Sequence, residues 1–292
     1  MKIAVASGKG GTGKTTVAAS LTAVWPTPLI AMDLDVEAPN LGLFLSPEFT
    51  GQRQAYMEVP EVDESRCNYC RACAEICQFK AISVFPQVVM TFPEMCHGCG
   101  GCLAVCPEGA LRPGRRLLGD ISWGMAGANA YLEGRLRVGE AMSPPLMRQV
   151  KQRLGEMLAE KPADVIIDAP PGVSCPAINA VMDADVIVLV TEPTPFGRYD
   201  LELAVEAFTP LDIPMGIVLN RAGLGDDRVA AFCEEKGLPL LAEIPYARSV
   251  AEAYARGEVI ARATPALGQR FRDLTAAVRA LAASPAQEVC HV

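Results

Sequence analysis

Eight cysteines fall into two copies of the pattern C-x2-C-x2-C-x3-C: Cys67, Cys70, Cys73 and Cys77, then Cys96, Cys99, Cys102 and Cys106. Thiolates are soft anionic donors suited to iron, and three on one tight loop reach three corners of an iron–sulfur cubane. Zinc also takes paired cysteines, but it needs four ligands per site and seldom uses a three-then-one arrangement twice. A second chemistry sits at the N-terminus. Gly8-Lys9-Gly10-Gly11-Thr12-Gly13-Lys14-Thr15 fits G-x-x-x-x-G-K-[ST] and runs into Thr16 at the head of an Ala-rich helical stretch. The backbone N–H groups of such a loop curl around phosphate oxygens, and the helix N-terminus adds partial positive charge. Lys14 is thereby aimed at the β and γ phosphates of ATP and the Thr15 hydroxyl at Mg²⁺.

The cysteine runs, the second closed by Pro107, resemble the ligand runs of bacterial two-cluster ferredoxins. That resemblance implies two [4Fe–4S] clusters with crossed ligation. Cys67, Cys70, Cys73 and Cys106 would hold one, and Cys96, Cys99, Cys102 and Cys77 the other. A shift of 29 residues maps one run onto the other and also takes Ile76 to Val105, Ala81 to Ala110 and Ile82 to Leu111. A pseudo-twofold module with one centre per half is expected. Gln78 stands where a proline usually follows the fourth cysteine, which removes a conformational lock and no ligand. With the cysteine sets complete, His97 is expected beside a cluster and not as a ligand.

These groups need a scaffold. Lys2–Ala6, the glycine-rich run and the helical stretch to about Val24 read as strand, phosphate loop and helix. Leu29–Met32 ends in Asp33-Leu34-Asp35, and Asp164–Ile167 ends in Asp168-Ala169-Pro170-Pro171-Gly172, so both put acids at strand ends. Further apolar runs at 186–190, 216–219 and 238–241 alternate with helix-length segments near 198–209, 226–236 and 248–256. This predicts an α/β fold with a doubly wound, mostly parallel sheet. The cysteine stretch interrupts it, so residues 1–58 and 115–292 are expected to form one discontinuous domain and 59–114 an inserted α+β module. Residues 117–140 contain Gly-spaced pieces, such as Arg135-Leu136-Arg137-Val138, that are candidate strands returning the chain to the main sheet.

Lys9, Asp33-x-Asp35 and Asp168-Ala-Pro-Pro-Gly172 together resemble the deviant Walker A ATPases, the family of MinD, ParA and the nitrogenase iron protein. The resemblance covers roughly 1–50 and 115–283. It implies an ATP sandwich between two copies, with Lys9 crossing to the partner's nucleotide to stabilise charge during phosphoryl transfer. By position, Asp33 and Asp168 would join Thr15 around Mg²⁺, Asp35 would orient the attacking water, and Gly172 would sense the γ-phosphate through its N–H. Asn220, with Arg221 beside it, matches the adenine-contacting asparagine, and Pro245 would flank the base. Without that resemblance, Lys9 reads as a solvated lysine, Asp35 as a helix cap and Asn220 as a turn residue. Cys175 follows Asp168 by seven residues, the spacing of a cluster-ligating cysteine in the nitrogenase iron protein. No obvious second cysteine accompanies it, so a bridging cluster and an ordinary semi-buried cysteine both stay open.

The remaining features narrow the class. Of 292 residues half are hydrophobic, and the net charge of -8 leaves no basic face for nucleic acid. There is no signal-peptide pattern or membrane-length apolar run, so a cytoplasmic location is expected, and crowded cysteines there indicate metal before disulfides. Leu267, Phe271, Leu274, Val278 and Leu281 recur at helical spacing, and the segment after them is neither basic nor aromatic, so core packing is expected and membrane binding is not. Cys233 is expected in the core; Cys290 and His291 receive no role.

The resulting expectation is an ATPase coupled to electron transfer or to iron–sulfur or metallocofactor handling. It would work as a homodimer, or a heterodimer with a paralogous ATPase, and serve a redox or metallocofactor protein. Two other classes share the core: spatial-positioning ATPases, which bind DNA or membranes, and amidating enzymes of the cobyrinic acid diamide synthase kind. No segment is long enough for the amidotransferase module that the latter would need.

Overall fold

Uninterrupted apolar runs such as Ile3-Ala4-Val5 are fully buried, as strands covered on both faces of a parallel sheet require. The computed structural model describes residues 1–283. Its elements are, in order, β1 (Lys2–Ala6), α1 (Lys14–Val24), β2 (Leu29–Asp33), α2 (Leu41–Leu45), β3 (Glu48–Val62), α3 (Ala72–Ile76), β4 (Ile82–Phe85), β5 (Val88–Thr91) and α4 (Gly101–Ala104). The chain continues with β6 (Leu111–Ala126), β7 (Asn129–Leu136), α5 (Ser143–Glu160), β8 (Asp164–Asp168), α6 (Cys175–Val181), β9 (Val186–Thr191) and α7 (Pro195–Phe208). It ends with β10 (Met215–Ala222), α8 (Arg228–Lys236), β11 (Leu240–Pro245), α9 (Arg248–Ala255) and α10 (Pro265–Ala283).

The main sheet has the order β11-β10-β9-β1-β8-β2-β7-β6-β3, and every pairing from β11 to β7 is parallel. This is the α/β nucleotide-binding architecture with a mostly parallel sheet that the strand–helix alternation predicts. β1 lies between β8 and β9, the kind of crevice beyond the strand ends where open α/β sheets bind ligands. Leu267, Phe271, Leu274 and Val278 of α10 are buried in the same core cluster as α1, so this stripe packs inward. Cys233 is buried as well. Cys290 and His291 lie outside the described residues. Among the described residues, no helix is long and apolar enough to cross a membrane.

The long strand β3 is absent from the sequence expectation, and β6 begins before the 117–140 stretch in which strands are expected. In β3 the inward residues Ala55, Met57 and Val59 alternate, but Gly51, Pro60 and flanking charges blur the pattern. The strand expected at 135–138 is the end of β7, which starts earlier; Val138 lies beyond it, fully exposed. β6 and β7 are joined through only Gly127 and Ala128, and Gly127 takes a left-handed φ of 63°, as a tight hairpin connection demands.

The chain divides into two compact units. One comprises Met1–Gln52, Ile121–Arg135 and the chain from Met147; the other comprises Arg53–Asp120 and Leu136–Leu146. The second is wider than the 59–114 stretch marked by the cysteines because it takes in the arms of β3 and β6 and the segment after β7. Within it, Arg116 ion-pairs with Glu140 at 2.9 Å, both side chains being buried, which ties that segment to β6. Its small sheet is the antiparallel β4–β5 hairpin, whose Ile82 and Val89 pack with Cys102 and Leu111.

Candidate functional site

The phosphate loop connects β1 to α1. Gly13 sits at φ 95°, in the left-handed region, just before the helix, and a β-carbon there would collide with the Asn220 side chain. Gly8 lies so close to the backbone of Asp200 that it too has no room for one. The loop is therefore pinned from two directions. Asn220 donates to the Thr12 carbonyl at 2.7 Å, and the Arg221 guanidinium to the Gly11 carbonyl at 3.2 Å. Pro245 ends β11 next to Ala222 of β10, so Asn220, Arg221 and Pro245 come together on the loop's flank.

Lys14 is nearly buried, and its ammonium lies 2.9 Å from Asp168 and 3.8 Å from Asp35. Burial opposes its charge, but Asp168 and then Asp35 and Asp33 outweigh that and hold its pKa above the ordinary lysine value. Burial also pushes Asp35 up to about 6, against the pull of Lys14. Asp33 is fully buried beside Asp168, and both effects raise its pKa well above the carboxylate range. Its two oxygens accept the N–H groups of Asp35 at 3.1 Å and Leu41 at 2.8 Å, so Asp33 shapes the 35–41 segment directly. Asp168 Oδ2 and Thr12 Oγ1 are buried with no hydrogen-bond partner. An orphaned carboxylate oxygen on the residue that holds the buried lysine fits hydrated Mg²⁺ and phosphate, since a buried polar atom is expected to have a partner. Gly172, at φ 90°, donates its N–H to Ser7 in front of the loop.

Lys9 reaches away from this centre. Its ammonium is 2.6 Å from Glu192 and 4.0 Å from Asp200. Glu192 also receives Arg221 at 2.7 Å; despite partial burial, Lys9 and Arg221 hold its carboxyl below the usual glutamate value. Sequence reasoning missed Glu192. The available signal was that it follows the buried strand β9, as Asp33 and Asp168 end theirs. Tyr131 and Glu133 of β7 were also missed. Cys175 is exposed at the start of α6 and forms no disulfide among the described residues.

In the second unit, two cavities divide the eight cysteines. Cys67, Cys70, Cys73 and Cys106 line a recess of about 370 Å³. Cys77, Cys96, Cys99 and Cys102 line another of about 500 Å³. Backbone N–H groups point at the thiols at matching places in the repeat. Tyr69 donates to Cys67 and Gly98 to Cys96, each at 3.4 Å; Ala81 donates to Cys77 at 3.3 Å and Ala110 to Cys106 at 3.2 Å. The backbone repeats too: left-handed φ angles occur at Tyr69 and Gly98 (58° and 65°), Arg71 and Gly100 (72° and 69°), and Lys80 and Gly109 (54° and 55°). Burial raises the Cys73 and Cys102 thiols in the same way. Among the described residues no three His, Cys, Asp or Glu side chains converge on one metal ion. A cubane asks for something else, four thiolates spread around a void with amides directed at sulfur, and both cavities have that donor set.

Among the equivalent positions at which the two cavities differ are 68 and 97. Asn68 donates to the Glu108 carboxylate at 2.9 Å, whereas in the other half His97 stacks on Phe79 with centroids 3.5 Å apart. His97 and Phe79 both line the second cavity.

The pattern of the CobQ/CobB/MinD/ParA nucleotide binding domain matches residues 3–260. An uncharacterised protein of Methanocaldococcus jannaschii, MJ0578, is 34% identical over 229 residues, covering 77% of this chain and 80% of its own. An iron–sulfur cluster carrier protein of Pyrococcus abyssi is 23% identical over 266 residues, 84% of this chain and 73% of its own. Among solved structures, the septum site-determining protein MinD of Pyrococcus horikoshii, complexed with Mg-ADP, shares the fold with a TM-score of 0.60, at 21% identity and over 97% of each chain.

Proposed function

The chain belongs to the CobQ/CobB/MinD/ParA nucleotide-binding family, and from that premise we propose that it is an ATPase whose nucleotide state governs two [4Fe–4S] clusters. The observation that carries this reading is the sorting of the eight cysteines, by fours, into two amide-lined cavities in a chain that also holds a phosphate loop. Cys67, Cys70, Cys73 and Cys106 would hold one cluster, and Cys77, Cys96, Cys99 and Cys102 the other. When bound, the clusters would supply one-electron transfer, or be themselves the cargo passed to a redox or metallocofactor protein. The distant likeness to a cluster carrier supports the second use.

On this reading the residues of the nucleotide unit divide the work. Gly8–Thr16 wrap the phosphates, with Thr15, Asp33 and Asp168 toward Mg²⁺. Lys14, already charged by its carboxylate neighbours, exchanges Asp168 for phosphate oxygens. Asp35 lies close enough to Lys14 to hold a water against the terminal phosphate. Asn220, Arg221 and Pro245 take the base side, and Gly172 turns its N–H from Ser7 toward the γ-phosphate. Lys9 leaves Glu192 only when a second copy offers its phosphates, which makes dimer formation part of the hydrolytic cycle. Cys175 has no role in this scheme.

The test is electron paramagnetic resonance of the anaerobically purified, dithionite-reduced protein without nucleotide, with ADP and with a non-hydrolysed ATP analogue. Two interacting S = 1/2 signals that change with nucleotide are expected. Absence of iron, or zinc in its place, would remove the cluster half of the proposal. Binding of DNA or liposomes that depends on ATP would favour a positioning ATPase instead.

A further inference from the structure

Tyr131 and Glu133 have no place in the nucleotide roles proposed above, yet both are buried on β7, beside the strand that carries Asp33. Glu133 sits opposite Asp33 in the parallel register of β2 and β7. The Tyr131 hydroxyl donates to Glu133 Oε2 at 3.0 Å. That hydroxyl also abuts Gly42, where an added β-carbon would meet it at 2.9 Å. Gly42 follows Leu41, whose N–H is held by Asp33. On its other side the Tyr131 ring meets Phe49 edge-on, with centroids 6.0 Å apart.

Phe49 belongs to β3, and Tyr131 and Glu133 to β7. The chains of both strands run on into the cysteine unit, entering it at Arg53 and Leu136 respectively. One fully buried tyrosine therefore touches the acid-held segment of the nucleotide site and both of these strands.

We infer that Tyr131 and Glu133 are a positioning pair that carries the nucleotide-dependent placement of the Asp33–Gly42 segment into β3 and β7, and so to the cysteine unit. The inference rests on the coupling proposed above. Its physical basis is that the Tyr131 hydroxyl leaves no room for a side chain at Gly42, and close-packed interiors shift between discrete arrangements and do not deform smoothly. A displacement of the segment either carries the tyrosine with it or breaks a buried hydroxyl–carboxylate bond, leaving Glu133 short of a donor.

Hydrogen exchange of the full, iron-loaded chain tests this, with and without the non-hydrolysed ATP analogue, for the wild type and Tyr131→Phe. The wild type is expected to change exchange in peptides from 53–120 and 136–146 on binding nucleotide. In Tyr131→Phe that difference should shrink at least roughly twofold, with nucleotide affinity within about twofold of the wild type. A variant that keeps the full response, or that loses nucleotide affinity, overturns the inference. A wild type with no response in those peptides defeats the coupling proposal itself. Should Tyr131→Phe not fold, Gly42→Ala presses on the hydroxyl without removing it. Exchange in 53–120 should then shift with no nucleotide present, and no shift overturns the inference.

Discussion

The two units solve the problem of holding a ligand in opposite ways. In the unit with the phosphate-loop motif, the lysines already have partners: Lys14 has Asp168, Lys9 has Glu192, and the loop is pinned by Asn220. Beneath them lies a core running from β1 and α1 to α10. Around the cysteines the buried cluster consists of Ile82, Val89, Cys102 and Leu111 with partly buried neighbours, several of them cysteines. One unit can wait for its ligand folded, whereas the other has thiols where a core would be. Where the apolar core is this thin, a bound metal can supply part of the folding free energy.

Removing iron is the strongest test of that contrast. Anaerobic chelation should make the chain between Arg53 and Asp120 sensitive to proteolysis while ATP-analogue binding persists. If nucleotide binding is lost in step with iron, the units are not separable. The double substitution Cys67→Ser and Cys106→Ser should lower bound iron to about half; an unchanged iron content would contradict the assignment of ligands to the first cavity.

The converse experiment is Lys14→Ala. It leaves Asp168 buried and unpaired, so a loss of about 3–5 kcal/mol is expected by denaturant unfolding of the nucleotide unit, together with failure to bind ATP. Iron content should not change. A smaller effect is expected from Gly13→Ala, where the left-handed backbone costs about 1–2 kcal/mol before the contact with Asn220 is relieved; a melting temperature equal to wild type would show that the loop is not constrained there.

The mildest substitution distinguishes the halves of the cysteine unit. Phe79→Ala removes the stack on His97, worth about 0.5–1.5 kcal/mol, and should perturb the spectrum of the cluster held by Cys77, Cys96, Cys99 and Cys102 while sparing the other. Equal perturbation of both clusters would mean that the cavities are not independent.

Legibility in the sequence differed for the same physical reason. A phosphate loop is local: its glycines, Lys14 and Thr15 must occur in one order between a strand and a helix, so eight consecutive residues reveal it. The cysteine repeat is also local, and its 29-residue register carries through to hydrogen bonds and φ angles. By contrast, Glu192 matters because Lys9 and Arg221 fold onto it, and Glu133 because β7 lies beside β2 with Asp33 opposite. Such contacts depend on strand order, which no short window contains. The long strand β3 and the start of β6 escaped because Gly51, Pro60 and Gly114 and a run of arginines mask their alternation, and pairing with neighbours overrides such weak local preference.

Strand order has a further consequence for how the protein is made. β1 pairs with β8 and β9, and β2 with β7 and β8, so every partner of the first two strands lies beyond the cysteine repeat. During synthesis, chains fold from the N-terminus as segments emerge, and these two strands must wait while the whole cysteine stretch is translated. All eight clustered cysteines are therefore translated before the sheet that carries the phosphate loop can close. On the proposed function, cluster assembly on the nascent chain would precede ATP binding.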